Sequence, residues 1–447
     1  MSAPTIKKFS LKERPTHDDL NTIYSTFAAK FGNLKGDDFF YPVIFNGDID
    51  LAGNRLLRAR ELMGILNVEE FGTDEDGFAS AINDLSAGGV IWIPRSTTIQ
   101  LTDSIKLKAN RSKVYIIGSG FSSQIFMANG SDDDAIVIEG ANQFHLSNFY
   151  INGNSANNSS GGGIVVRNSK DFVIDKVWVG NGSTTGVTDS SISCTNCSDF
   201  KIERCWLRNP KKNGIVLDEG SRGFTVSQVL VDMTNGNTTF GQHGILVQNQ
   251  TRDGAIHSNT LRNLGYGGVF VGDADNVAVT YNQIHGNGNN TGRIANHAGV
   301  TVRGTSASVK STGVAVTGNR CTGAQIGVSV GSHVKDCNVT GNYVRDNTQP
   351  IEYTGAGTSR VNFRGNMALE MSNNGRVTFK ANKSVTKIDI GVTQLPIQAI
   401  HATWDVFPPS LVKNSVLGAR YKGQTIFFYN SSKLAGGNFS AWYTIEI

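Results

Sequence analysis

The sequence predicts an all-β fold, a right-handed parallel β-helix with three strands per coil, and three observations carry that prediction. An octapeptide of the form apolar-x-apolar-x-x-z-x-apolar begins at 144 (FHLSNFYI), 172, 200, 224, 254, 277, 314, 337 and 361, a spacing of 23 to 37 residues. Between successive copies lies a second short strand, usually opened by glycine: GIVV at 163, SISC at 191, GIVL at 214, GILV at 244, GVFV at 268, GVTV at 299 and GVSV at 327. The sixth octapeptide position reads Phe149, Val177, Cys205 and Val229, then Asn259, Asn282, Asn319, Asn342 and Asn366. A unit that buries one row of apolar side chains must stack on copies of itself. Asparagines in register, about 4.8 Å apart, then bond one another at a buried bend.

The elements follow in chain order. Residues 1–66 differ from the repeats. Thr16 is placed to cap a helix, and Leu20, Ile23, Tyr24, Phe27, Ala28 and Phe31 fall on one face of it, which predicts a short helical anchor over 16–33 that seeks a partner. Residues 67–371 form the β-helix, with VIWIP (90–94), IQLTDSIKL and KVYIIGSG (113–120) as coils preceding the first octapeptide. Loop lengths distinguish its corners. From each second strand to the next octapeptide the interval is nearly constant, whereas the other corner carries insertions such as NGNSANNSSGG, GNGSTTGVTDS, DMTNGNTTFGQ and HGNGNNTGRIANHA. Variable loops along one edge of a rigid solenoid are the expected place for a binding surface. Residues 372–447 alternate in segments such as RVTFKA, SVTKIDIGV, TIFFYN and SAWYTIEI and predict a C-terminal β-sandwich.

Composition excludes several classes. With 447 residues the chain exceeds one compact core, and 51 glycines against nine prolines suit many short strands joined by turns. A net charge of +4 without a Lys/Arg run gives no nucleic-acid footprint. The N-terminus lacks the apolar core of a secretory signal, and no run reaches eighteen apolar residues, so synthesis in the cytoplasm and no membrane insertion are expected. The five cysteines include one CxxC, Cys194 to Cys197, and read as small buried apolar residues, with no metal or cofactor expected.

Three stretches resemble bacteriophage tailspikes and related tail-associated polysaccharide depolymerases with a pectate-lyase-like β-helix. FNGDIDLAGNRLLRARELM (45–63) is similar to the N-G-D-x-D-x-x-G-N-x-I segment that joins virion anchors to such proteins. FGTDEDGFASAINDLSAGGVIWIPRS (71–96) resembles the opening of pectate-lyase-like β-helices, with a shortened middle, and GRVTFKANKSVTKIDIGVTQLP with FSAWYTIEI is similar to a C-terminal sandwich of phage β-helix proteins. The resemblance implies a homotrimer on the virion tail, joined to a tail or baseplate protein through its N-terminal segment, that recognises a bacterial surface polysaccharide such as O-antigen or capsule. No residues match a pectate lyase calcium site or the paired aspartates of polygalacturonases, so neither activity is carried over.

Chemistry is sought in residues that face outward. Tyr150, Trp178 and Trp206 share the seventh octapeptide position in three successive coils. Their rings could stack on sugars, or form a strip covered by a neighbouring protomer. Glycosidic hydrolysis needs two carboxylates, about 6.5–9.5 Å apart for inversion. Asp218 and Glu219 follow one second strand and Asp273 and Asp275 another two coils on, roughly 9.6 Å at the strand spacing. Glu219 facing Asp273 suits an inverting pair, with Arg303 binding an anionic sugar or leaving group; alternatively these acids merely bond their own turns. The variable corner offers His243 and Arg293 as substrate contacts, beside Asp189, Asp232, His285 and His297. His243, Tyr266, Arg293 and His297 could instead serve a lyase, as base and charge-neutralising partner. Val216, Leu246 and Phe270 would give the second strand an apolar outer floor, as under a loop or at a subunit contact. A non-enzymatic receptor-binding spike and a purely structural tail component are the rival classes.

Overall fold

The structure, a computed structural model, describes residues 65–366 except 86–87, 110, 181–185, 233–242, 287–297, 348, 354–356 and 365, together with the backbone of six strands between 374 and 446. The helix expected over 16–33 lies outside the described residues.

The described chain is a parallel β-solenoid of three sheets, containing 13, 10 and 9 strands. We call them sheet I, built from the first half of each octapeptide; sheet II, built from its last residues; and sheet III, built from the glycine-opened strands. Every octapeptide pairs with the next in the register the repeat predicts. In sheet I Phe172 opposes Phe200, Phe200 opposes Phe224, Phe224 opposes Gly254 and Cys337 opposes Val361. In sheet III the row runs Ile164, Ile192, Ile215, Ile245, Val269, Val300 and Val328. The earlier segments form coils too, beginning with Ile65–Asn67 and Gly89–Ile93 in sheet I.

Among the described residues one α-helix occurs, α1 (Glu75–Asp84), near the start of the solenoid. Asp74 caps it by accepting from Gly77 N at 2.8 Å, and Phe78, Ala81 and Ile82 are buried in the solenoid core. The cap satisfies a helix-start N–H that would otherwise lack a partner, and the buried face of the helix joins the same apolar cluster as the strands. Beyond residue 371 the strands become antiparallel, in two sheets: Asn374–Phe379, Phe439–Glu446 and Ala399–Trp404 in one; Val385–Asp389, Thr425–Asn430 and Leu417–Lys422 in the other.

Two internal stacks occupy the core. Phe144, Phe172, Phe200 and Phe224 are buried, with successive ring centroids 4.6, 4.7 and 5.9 Å apart. The stack ends at Gly254, where an added Cβ would lie 2.1 Å from the Phe224 ring. At the bend between sheets I and II the five asparagines form the expected ladder. Asn319 is typical: its Nδ2 donates to Asn342 Oδ1 at 3.0 Å and to Val279 O at 2.8 Å, while its Oδ1 accepts from Asn282 N and Asn282 Nδ2 at 3.0 and 2.9 Å. Asn259, Asn282, Asn342 and Asn366 repeat the pattern. The first four coils fill the same position with buried Phe149, Val177, Cys205 and Val229.

Glycine opens the sheet III strands because that backbone passes against the next coil. A Cβ on Gly268 would stand 2.4 Å from both Gly299 O and Ile284 Cγ2. Elsewhere the corners turn through left-handed residues that are not glycine, including Asp171, Asp199, Asp253 and Asp336 where the chain enters sheet I, and Lys176, Arg204 and Tyr281 where it leaves. The five cysteines are all buried.

Candidate functional site

Strand alternation decides which side chains leave the core, and in sheet II the outward column contains the three aromatics that the repeat brings into line. Tyr150 pairs with Trp178 and Trp178 with Trp206. Exposure rises along the column, from 5% at Tyr150 to 48% at Trp206. A fourth ring joins them. Phe121 comes from the turn before strand Gln124–Met127, stacks on Tyr150 at 4.6 Å, and meets Trp178 edge-on at 6.1 Å. Trp178 and Trp206 are likewise edge-on, at 6.4 Å. The result is an aromatic file three coils long. Phe121 falls outside every octapeptide, so only its place in a Gly-Phe-Ser-Ser turn beside a strand hinted at it.

Toward the C-terminal coils the same face becomes polar. Arg208 shares a strand with Trp206 and lies over its ring, 5.9 Å from the centroid. In register with Arg208 follow Asp232, Arg262, His285 and Thr322. Asp232 is 2% exposed; its Oδ2 accepts from Arg262 Nη2 at 2.8 Å and its Oδ1 from Asn263 Nδ2 at 3.0 Å. His285 Nδ1 meets Thr322 Oγ1 at 2.7 Å.

Around the corner, sheet III contains the strand His243–Val247. His243 donates its backbone N–H to Asn213 Oδ1 at 3.0 Å, and its ring packs 5.4 Å from Tyr266 and 5.0 Å from Phe270. The Arg303 guanidinium lies on the Phe270 ring, 5.0 Å from its centroid. Two candidates from the strands on either side of Gly267–Gly272, His243 and Arg303, are thus joined through Phe270. That ring is 8% exposed, whereas Val216 and Leu246 in the same outer row are half-buried. Arg293 and His297 lie outside the described residues.

The candidate carboxylates line the far edge of sheet III, where the chain turns into sheet I. Glu219 and Asp273 both sit in left-handed turns. Gly220 N donates to Asn249 O and Gln250 N to Asp273 O, at 2.9 and 2.7 Å, so one further turn separates the two. Asp273 accepts from Thr305 N at 2.7 Å and from the Thr305 hydroxyl. Asp218 accepts from Glu219 N, Gln248 Nε2 and Asn249 Nδ2 at 2.7, 3.0 and 2.7 Å. Asp275 lies past the corner, pairing in sheet I with Arg252 and Thr312. The aromatic file and the carboxylates therefore occupy different faces of one solenoid, with sheet III between them.

This architecture defines a right-handed parallel β-solenoid of the kind shared by tailspikes and polysaccharide-modifying enzymes. Residues 122–375, more than half of the chain, match the family described as periplasmic copper-binding protein (NosD), and the chain belongs to that family. Among curated proteins none matches the sequence. Among solved structures it is similar to the Dettilon tailspike protein, with a TM-score of 0.52 and 11% identity over 86% of this chain and 94% of that one. It is similar to DFA-IIIase from Arthrobacter chlorophenolicus A6, with a TM-score of 0.52 and 14% identity over 69% of this chain and 88% of that one. It is also similar to the A-module of mannuronan C-5 epimerase AlgE6 from Azotobacter vinelandii, with a TM-score of 0.50 and 17% identity over 68% and 86%. At these identities the likeness is one of fold.

The described residues do not fit a copper centre. Among the described residues no three His, Cys, Asp or Glu side chains converge as a metal would need. Burial pushes the Cys205, Cys321 and Cys337 thiols up to about 12 and Cys194 well above its ordinary value, which holds them protonated. Cys197 alone is lowered, chiefly by a hydrogen bond from Cys194. Among the described residues no helix is long and apolar enough to cross a membrane.

Proposed function

We propose that this protein is a tailspike-type spike that binds an extended bacterial surface polysaccharide along the outer face of sheet II, with the aromatic file as its platform. The single observation that supports this most is the file itself: Tyr150, Trp178 and Trp206 stand in register in three successive coils, with Phe121 stacked on Tyr150. Aromatic faces hold sugar rings with little dependence on sequence in the polymer, and a strip one coil per step suits a chain rather than a single sugar. The tailspike and polysaccharide-modifying neighbours support a carbohydrate role. In this reading the protein is a homotrimer on a phage tail, attached through residues 1–66.

Cleavage by hydrolysis is the accompanying proposal. Glu219 is exposed and stands two coils from Asp273, a separation of roughly 9.6 Å that suits inversion. Asp218 and Asp273 already brace neighbouring turns, and Asp275 lies on the sheet I side. Because the file and the carboxylates lie on different faces, a chain in contact with both would span two protomers. His243 against Tyr266, with Arg303 beyond Phe270, favours a second reading, in which a uronic sugar loses a proton by elimination.

Purified protein incubated with bacterial lipopolysaccharide or capsule tests the proposal. Trp178→Ala and Trp206→Ala should each weaken binding by about 2 kcal/mol, roughly thirtyfold. Glu219→Gln and Asp273→Asn should retain binding and abolish new reducing ends. Unsaturated products absorbing in the ultraviolet, lost in His243→Gln, would choose elimination. Full binding by both Trp variants would sink the proposal.

A further inference from the structure

Beyond the aromatic file, the outer face of sheet II is cationic, and the cations recur every second coil. Successive outward positions, read from the pairing, are Trp206, Leu230, Thr260, Gln283 and Arg320 in one column and Arg208, Asp232, Arg262, His285 and Thr322 in the other. Arg208 is level with Trp206, Arg262 two coils on and Arg320 two coils further. At the strand spacing that places guanidinium groups roughly 9.6 Å apart along the axis. Each is steadied by a neighbour: Arg208 by the Trp206 ring, Arg262 by Asp232, and Arg320 by the Tyr343 ring at 5.3 Å.

Exposure makes the face one-signed. Asp232 is the one carboxylate among these ten positions. Its side chain is 2% exposed with both oxygens bonded, while Arg262, which it holds, remains 43% exposed. The acid orients a cation and is itself hidden. Guanidinium groups present a planar fork that matches carboxylate, sulfate or phosphate in two parallel hydrogen bonds. From this geometry we infer that the bound polymer is acidic, carrying negative charge at regular intervals, and that sugar faces lie on the aromatic file while the charges beyond it meet Arg208, Arg262 and Arg320. The inference rests on the polysaccharide-binding reading and adds the class of polymer.

The test compares the full-length protein's affinity for polygalacturonate and dextran sulfate with that for their uncharged counterparts, carboxyl-reduced polygalacturonate and dextran. At least one charged polymer should bind tenfold or more tightly than its counterpart, with affinity falling as salt rises. A preference confined to one pair tells carboxylate from sulfate. Arg320→Gln, exposed and outside the Asp232 bridge, should lower affinity for the charged polymer about fivefold and leave the uncharged one unchanged, with an unaltered melting temperature. Arg208→Gln should likewise lower affinity for the charged polymer. Equal affinity within both pairs, or no binding to either charged polymer, overturns the inference. Binding to lipopolysaccharide or capsule that still depends on Trp178 and Trp206 would then leave the platform reading standing, and loss of that dependence would end both.

Discussion

Asn319 shows how much one side chain can carry inside a solenoid. Its amide makes two donations and accepts two, all beyond the reach of water. Asn319→Ala should therefore cost at least about 2 kcal/mol, because unsatisfied buried groups are left in two neighbouring coils, and chemical denaturation will read it. Gly254→Ala should cost about 1–3 kcal/mol by overpacking against the Phe224 ring, and pairing it with Phe224→Leu should recover most of the loss. His145 makes a pH prediction. It is half-buried in sheet I, with its Nε2 enclosed and lacking a hydrogen-bond partner among the described residues. Burial lowers its pKa from 6.5, with Arg204 and Lys176 adding to the effect and Asp175 opposing it. The unfolded chain then binds the proton more readily, so stability is full above 6.5 and declines as the pH falls through that value toward the folded pKa. Melting temperatures between pH 5 and 7.5 should show the decline in the parent and a flatter profile in His145→Gln.

Strands and corners were legible to very different degrees. The octapeptide gave the register of sheets I and II because inward apolar positions cannot slip by one residue without turning the core outward. The glycines marked sheet III because a Cβ at Gly163, Gly214, Gly244, Gly268, Gly299 or Gly327 would meet the next coil. The asparagine ladder was legible for the same reason: a polar residue repeated at a buried position must find its partner in its own copies. What stayed hidden was chemistry that no repeat enforces. Phe121 belongs to a single turn, and the packing of His243, Phe270 and Arg303 depends on ring orientation across three coils. The acids at the sheet III edge were readable as residues but not as partners: Asp218 and Asp273 use their oxygens on Asn249, Gln248 and Thr305, whose relevance appears only in three dimensions. Left-handed corners were also missed, since Lys176, Arg204 and Tyr281 carry no turn signature.

Across the described chain the core is one continuous apolar column from Leu66 to Phe363, and all five cysteines lie in it. A thiol reagent at pH 8 should find none of them in the native protein and all five in denaturant; labelling of the native protein would mean that the column opens locally. The asparagine ladder has one more consequence. Asn319 and Asn342 are 23 residues apart and interchangeable in their bonds, since each accepts from the amide below and donates to the one above. Residues 314–336 could be cut out and Asn282 would find Asn342 where Asn319 had been. The shortened protein should still melt cooperatively, with Arg320 gone and every feature beyond the excision drawn about 4.8 Å nearer the aromatic file. Such a molecule is graduated like a ruler, and its length can change by whole divisions without redrawing either end.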